Sequence, residues 1–458
     1  MLDDGIPGGW TAREGFSRRQ SVREAAARTY ARALPIVPVR ARGMTIEGAD
    51  GRRYLDCLSG AGALVLGHNH PVVLEAIRKV LDSGAPLNAL DLATPVKDAF
   101  VAELSRTLPP GLADRARVRF CGPTGSDALR TASELVRAAT GRNDLGGRDA
   151  DVVCLAFAQD RPDPFGADAA ALPAGVIVEP VQGEGGVFPA PDAWLRRVRQ
   201  FTADRSVPLI VDEIQTGVGR TGTFWAVEHS GVTPDVMVLS EAIGGSLPLA
   251  VVVYRDDLDS GKPSPHAGTF RGNQLAMAAG TATLAHVREN HLAERASALG
   301  ERMSHQLRSV SDDFACVGEV RGRGLMIGVE LVDAAGETEP GPPKASERPV
   351  AQEPTAQGPT ADEPTAEGLT AEGPTAEEPA ARELASVVQQ ECLRRGLIVG
   401  LCGPHANVVR LLPPLTITDE QAAAVLDRLT DAIRAAAMQC QESRARQRGR
   451  TSPSRRAP

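Results

Sequence analysis

The sequence predicts an α/β protein: a mostly parallel sheet covered by helices, with a smaller α+β domain drawn from both chain ends. Three observations carry that prediction. From about residue 70, helical periodicity alternates with short β-branched runs, the pattern of strands buried on both faces. Polar or glycine-rich sequence follows several of these runs, where strand-to-helix loops carry ligands in open sheets. The 458 residues are 42% apolar and 24% charged, a globular composition long enough for two or three folded units.

Taken in order, residues 1–20 read as a flexible arm. Residues 21–65 begin the small domain, with a helix over Ser21–Ala33 and then strand, Asp50-Gly51 turn and strand from Met44 to Leu55. Residues 66–315 form the large domain. There Pro71–Ser83 opens on proline, sets Val73, Ile77, Val80 and Leu81 on one face and stops at Gly84. Arg117–Cys121 reads as a strand that turns through Gly122–Ser126 into a helix over Asp127–Thr140. Val152–Ala156, Gly175–Val178, Val207–Val211, Val236–Leu239 and Leu249–Val253 read as further strands. Residues 316–332 and 381–440 complete the small domain with a helix over Arg382–Arg395, strands at Gly396–Leu401 and Val408–Leu412, and a closing helix over Asp419–Met438. The 333–380 insertion holds a five-residue repeat, Glu353–Glu377, that buries too little apolar surface to offset its ordering entropy and is expected to be disordered. The basic segment 441–458 is expected to be a disordered tail.

The net charge of −8, unclustered, argues against nucleic acid or an anionic membrane as partner and points to a small molecule. Val236–Tyr254 is the longest apolar stretch. It contains Glu241, Gly244, Gly245 and Pro248, so it reads as two buried strands rather than a membrane span. The start Met1-Leu2-Asp3-Asp4 has neither a basic n-region nor an apolar core, so no signal peptide is expected, and the seven cysteines show no metal spacing. A cytoplasmic protein with reduced thiols and no metal site is the expectation.

Four segments carry chemistry. Gly125 and Ser126 lie at a helix N-terminus, where free N–H groups and the positive dipole end suit a phosphate; an ordinary cap by Thr124 or Ser126 is the alternative. Asp212 ends a strand, where a carboxylate suits a cofactor ring N–H or a helix cap. Glu179–Gly186 packs two carboxylates and an amide into one loop. Arg410, between Val409 and Leu411, needs an anion, either a bound carboxylate or a structural partner.

Together, Gly122-Pro-Thr-Gly-Ser-Asp-Ala128, Glu179-Pro-Val-Gln-Gly-Glu-Gly-Gly186, Asp212-Glu-Ile-Gln-Thr-Gly-Val-Gly-Arg-Thr-Gly222 and Thr269-Phe-Arg-Gly-Asn-Gln274 resemble class III pyridoxal-phosphate aminotransferases. Arg321–Leu325 and Val409–Thr416 complete the set, and the nearest flavour is the diaminobutyrate:2-oxoglutarate aminotransferases. The resemblance covers Ser21–Val332 and Ala381–Met438. It implies a fold-type-I homodimer with active sites at the subunit interface, using an amino acid and 2-oxoglutarate as substrates. By that resemblance Gly125 and Ser126 bind the cofactor phosphate, and Thr269 reaches the partner subunit's cofactor phosphate. Asp212 pairs with the pyridine nitrogen, Ile214 packs beneath the ring, Gln215 lies near its hydroxyl, and Glu184 gates Arg410, which holds the 2-oxoglutarate carboxylate.

The sequence departs from the family at three places. Where the family carries its Schiff-base lysine in Ser-Lys-Ala-Ile-Gly-Gly, this chain reads Ser240-Glu241-Ala242-Ile243-Gly244-Gly245. Of its four lysines, Lys79 and Lys97 lie in helical stretches and Lys344 in the insertion, which leaves Lys262 alone to test as a substitute. A carboxylate about 7 Å from a phosphate costs roughly 2 kcal/mol at an effective dielectric of about 20. The family's ring-stacking aromatic segment is missing as well, since 141–174 holds only Phe157 and Phe165, and its acid after the GSDA motif is Arg130. Three readings follow: a catalytically impaired homologue, binding pyridoxal or pyridoxamine phosphate non-covalently at best and acting as a non-catalytic regulatory partner of an active paralogue, as a homodimer or a heterodimer with it; a weak enzyme working from pyridoxamine phosphate with Glu241 as base; and a binding or scaffold protein for an amino acid, built on Arg410 and using the acidic insertion for contacts.

Overall fold

The computed structural model describes residues 34–142, 152–155, 157, 172–259, 261, 268–333 and 377–451, the last segment with side chains over 381–440. The expected arm, the helix over Ser21–Ala33, residues 334–376 of the insertion and 452–458 of the tail lie outside the described residues.

Strands β1 (Pro38–Arg42), β2 (Thr45–Gly48) and β3 (Arg53–Asp56) form an antiparallel ribbon. The expected turn closes it: Asp50 accepts from Arg52 N at 3.2 Å, and Gly51 takes φ +75°. Helices α1 (Pro71–Ser83) and α2 (Pro95–Ser105) lead into the large sheet. Its strands are β4 (Ala116–Phe120), then, after α3 (Gly125–Thr140), β5 (Val152–Leu155) and β6 (Gly175–Val178). The small pair β7 (Val181–Gln182) and β8 (Phe188–Pro189) and helix α4 (Asp192–Asp204) precede β9 (Leu209–Asp212), β10 (Val236–Leu239) and β11 (Val251–Arg255).

The large sheet runs β4-β11-β10-β9-β6-β5, with β5, β6, β9 and β10 parallel and β11 antiparallel to both neighbours. Successive side chains of a strand point to opposite faces, so a strand covered on both sides must be apolar throughout. Val176, Val178, Leu209, Val211, Met237 and Leu239 join one core, while Ile177, Ile210, Val236 and Val238 join another with Ala128, Ala132, Leu135 and Val136 of α3. The apolar stretch Val236–Tyr254 is resolved, as expected, into two buried strands. Among the described residues no helix is long and apolar enough to cross a membrane.

Helices α5 (Gln274–Glu289) and α6 (Leu292–Asp313) lead to the C-terminal part. There β12 (Val317–Arg323), β13 (Met326–Leu331), β15 (Gly400–Cys402) and β16 (Val408–Leu411) form an antiparallel sheet in the order β12-β13-β16-β15. Helix α7 (Glu377–Arg394), strand β14 (Leu397–Ile398) and helix α8 (Asp419–Thr451) complete it.

Three expectations need correction. The single strand expected over Gly396–Leu401 breaks at Val399: β14 pairs in parallel with β3, while β15 pairs with β16. An unbroken apolar run cannot show which sheet each half joins. Residues 377–380, assigned to the insertion, belong to α7. The closing helix does not stop at Met438 but runs to Thr451, because Gln, Glu, Arg and Ala after it are good helix formers and no proline intervenes.

Asp235, 4% exposed, clamps the edge of the sheet away from these strand-to-helix loops. It accepts from Arg199 and Arg255, each at 2.6 Å, and from Leu209 N at 2.9 Å. Asp235→Ala leaves two guanidinia without their shared anion and should lower the unfolding free energy in urea by about 2–4 kcal/mol, the lower end reflecting the partly exposed arginines.

Candidate functional site

Strand register gathers the chemistry at one edge. Val238 of β10 stands beside Asp212 of β9, so Asp212 and the Ser240-Glu241 step leave the sheet together, and Glu179 follows the neighbouring β6. The turn before α3 reaches the same edge. A Cβ on Gly125 would lie 2.8 Å from Ile214 Cδ1, so only glycine lets Ile214 pack there. Thr124 is the helix cap: its hydroxyl accepts from Asp127 N at 3.2 Å, and the Asp127 carboxylate accepts from Thr124 N at 3.3 Å. Ser126 is left exposed in the first turn.

Arg410 comes from β16, opposite Gly328 and Gly400 in register. It is 4% exposed and pairs with Glu184 at 2.7 Å. Its Nη1 donates to Gln215 Oε1 at 3.2 Å, and Gln215 Nε2 donates to Glu184 Oε1 at 3.1 Å, closing a three-residue ring. A Cβ on Gly183 would lie 2.4 Å from the Gln215 oxygen. Burial pushes the Glu184 carboxyl upward, but the charge of Arg410 and the hydrogen bonds from Gln215 and Arg410 outweigh it and hold it low. The Glu184 side chain is 69% exposed against 5% for Arg410, so the carboxylate has room to swing away while the guanidinium does not.

Glu241 opens a short 3-10 turn, Glu241–Gly244, at φ +44°, a left-handed backbone uncommon outside glycine. Its Oε2 is buried without a donor among the described residues. The Glu241 carboxyl is raised to about 7, chiefly by burial, with Glu184 and Asp212 adding to the rise and Arg410 opposing it. Asp212 is also raised to about 7 by burial, with Glu179 adding to the rise and the hydrogen bond from Ile214 N, 2.9 Å, opposing it. Glu179 is raised by burial against the bond from Gly183 N at 3.2 Å. Four carboxylates thus share this edge with the guanidinium of Arg410.

The structure therefore brings Asp212, Gln215, Glu184, Arg410 and Glu241 into one group, and Gly125 against Ile214. Thr269 is exposed, and its side chain meets no hydrogen-bond partner among the described residues; its carbonyl accepts from Asn88 at 3.3 Å. The preceding Gly268 backs onto Gly122, where a Cβ would lie 2.8 Å from the Gly122 Cα. Lys79 sits exposed on α1, 3.8 Å from Glu75. Lys97 donates to the Leu90 carbonyl at 3.4 Å and lies 4.9 Å from the centroid of the Phe120 ring. Lys262, Lys344 and Phe165 lie outside the described residues. Phe157 packs edge-on against Trp194, with ring centroids 5.8 Å apart, and Arg130 bonds Asp127 at 2.7 Å.

Two contributors escaped the sequence-based choice of site residues. Glu179 ties down the loop that carries Glu184. Arg321, 5% exposed, anchors the same loop by donating to the Gly186 carbonyl at 2.8 Å and pairing with Glu330 at 2.6 Å. Both lie in the quoted motifs, which were the available signal; their partners are distant in sequence.

Asp212, Glu213 and Glu241 all rise to about 7 by burial. Between the ordinary carboxyl range and that value the native state holds more protons than the unfolded chain, so stability falls as pH rises from about 4 through about 7. Glu241→Gln removes one such group. The variant should match the parent near pH 4, exceed it by about 1–3 kcal/mol near pH 8, and show a shallower decline between them in denaturant titrations.

The family model described as "Aminotransferase class-III" matches residues 25–156 and 168–433. A diaminobutyrate--2-oxoglutarate aminotransferase of Rhizobium meliloti (strain 1021) is 42% identical over 91% of both chains, and one of Haemophilus influenzae is 36% identical over 91% of this chain and 94% of its own. Among solved structures, N-acetylornithine aminotransferase from Stenotrophomonas maltophilia K279a superposes with a TM-score of 0.67 at 26% identity, covering 91% of this chain and 98% of its own. A Toxoplasma gondii ornithine aminotransferase, with partial occupancy of PLP at its active site, gives 0.72 at 25% identity over 94% and 96%. The PLP-dependent fold type I expected from the motifs is shown by these neighbours. The chain belongs to the class III aminotransferases.

Proposed function

We propose that this chain is an aminotransferase of the diaminobutyrate:2-oxoglutarate type that has lost covalent hold of its cofactor, and with it efficient turnover. The relatives' activity supports the substrate class, and one observation carries the impairment: Glu241 stands where the family places its lysine, with its carboxyl coupled to Glu184, Asp212 and Arg410. Pyridoxal phosphate, when bound, supplies an electron sink for bonds at an amino acid's α-carbon.

The residues present fit that group at two ends and not at the third. The glycine cradle of Gly125 and the N-terminus of α3, with Ser126, suit its phosphate, and the buried Asp212 carboxyl suits its ring nitrogen. Ile214 and Gln215 then border the ring, and Arg410 takes the 2-oxoglutarate carboxylate once Glu184 moves aside. At the attachment point Glu241 offers no amine, so any hold on pyridoxal or pyridoxamine phosphate is non-covalent.

A second reading has one observation in its favour. Glu241 combines an unpartnered buried oxygen with a carboxyl poised near neutrality, the properties of a proton carrier. In that case the chain turns over weakly from pyridoxamine phosphate, and Glu241→Gln abolishes the activity.

For the assembly we infer a large domain over 66–315, a small domain from 21–65, 316–332 and 381–440, and a dimer with itself or with an active paralogue. Leu87, Leu90, Leu92 and Phe270 are exposed on two loops joined by the Asn88–Asn273 bridge and the Arg271–Asp91 ion pair at 2.6 Å, a patch suited to a second subunit beside Thr269. That subunit would receive Thr269 at its cofactor phosphate. Seven free cysteines suit a cytoplasmic setting.

Borohydride reduction of the protein with pyridoxal phosphate, followed by peptide mapping, is expected to find no lysine adduct; an adduct on Lys262 or another lysine would overturn the proposal. Glu241→Lys should restore an adduct at position 241 together with amino transfer from 2,4-diaminobutyrate to 2-oxoglutarate. Light scattering should show Phe270→Glu combined with Leu92→Glu shifting the protein to monomer.

A further inference from the structure

Two polar atoms at the site have no partner among the described residues, and they are of opposite kind. Arg410, 4% exposed, keeps its Nε donor without an acceptor, and Glu241 keeps its Oε2 acceptor without a donor. A buried polar group left unpaired carries a desolvation cost that a ligand can relieve. The unused guanidinium donor calls for a carboxylate, and the unused carboxylate oxygen calls for a cationic N–H. Glu184 and Asp212 add further carboxyl groups beside that second position, and neither described lysine is joined to it. A carboxylate has replaced the site's amine, which converts a position that would react with a carbonyl into one that attracts an ammonium group.

We propose that this chain binds an amino acid intact, as a zwitterion, with its carboxylate on Arg410 and its ammonium on Glu241. The proposal rests on the reading that covalent cofactor attachment is lost. A 2-oxo acid satisfies Arg410 alone and brings no donor to Glu241. Glutamate and 2-oxoglutarate share a skeleton and both carboxylates and differ at one position, ammonium against keto oxygen. They form a matched pair of probes.

Isothermal titration of the full chain near pH 8, without cofactor, should show L-glutamate binding about tenfold or more tightly than 2-oxoglutarate, the scale of one charge-assisted hydrogen bond. Glu241→Gln should bring the two ligands to within about threefold by weakening glutamate and leaving 2-oxoglutarate no weaker, and Arg410→Ala should weaken both. A thermal transition no lower than the parent's confirms that the Gln variant is folded. Equal binding of the two ligands, tighter binding of 2-oxoglutarate, no binding of either, or a glutamate preference that survives Glu241→Gln would each overturn the proposal. The borohydride experiment stands apart. Glutamate preference failing without a lysine adduct sinks only the zwitterion site, whereas an adduct sinks the impaired-enzyme reading.

Discussion

Everything at the site depends on a buried join made by Arg220. Its side chain is 1% exposed, donates to the carbonyl oxygens of Pro413 and of Leu325 (3.3 Å for the latter), and its own carbonyl accepts from Leu325 N at 2.9 Å. Burial lowers its pKa to about 10, which still leaves it charged at neutral pH. This join fastens the segment after β9, with Asp212 and Gln215, to the turns flanking β13 and β16, which carries Arg410. The contact is too close for side chains: Gly324 takes φ +54°, and a Cβ there would lie 2.5 Å from the Thr221 carbonyl carbon. The reach of Gln215 to both Glu184 and Arg410 presupposes it.

On that foundation the site balances unequal charges. A buried guanidinium usually needs one anion, and Glu184 supplies it. Glu179, Asp212 and Glu241 are surplus, and burial raises the carboxyls of all three, those of Asp212 and Glu241 to about 7. A family member with an amine at position 241 would neutralise part of that surplus. Here a carboxylate stands at that position among the same strand ends, glycine cradle and arginine join that gather the site.

Much of the frame was legible in the sequence because its signals are local. Val236–Leu239 and Gly175–Val178 are strands buried on both faces, and an uninterrupted apolar run announces that without knowledge of neighbours. The cap of α3 was undecided between Thr124 and Ser126 until the Asp127 carboxylate was seen to bond back to Thr124. Strand β1 escaped the sequence reading although Val39-Arg40-Ala41-Arg42 alternates, because it is short, opens on proline and is largely exposed, so no buried apolar face announces it. The split at Val399 and the roles of Glu179, Arg220 and Arg321 depend on partners far along the chain, which periodicity does not encode. At the site, motif positions located the residues, but the orphaned atoms of Glu241 and Arg410 are visible only once side chains have met.

The break at Val399 also sets a schedule for synthesis. Cys57 N donates to Ile398 O at 2.9 Å, and Leu412 N donates to Cys57 O at 2.7 Å, so the N-terminal ribbon braces the strand that carries Arg410. Arg52 likewise bonds the carbonyl of Arg394, 342 positions later. At ribosomal speeds of roughly 5–20 residues per second, β3 emerges tens of seconds before the strand it pairs with exists. Through that interval an open strand edge and an uncovered apolar face await the end of the chain, which makes the nascent ribbon the part of this protein most in need of a chaperone's cover.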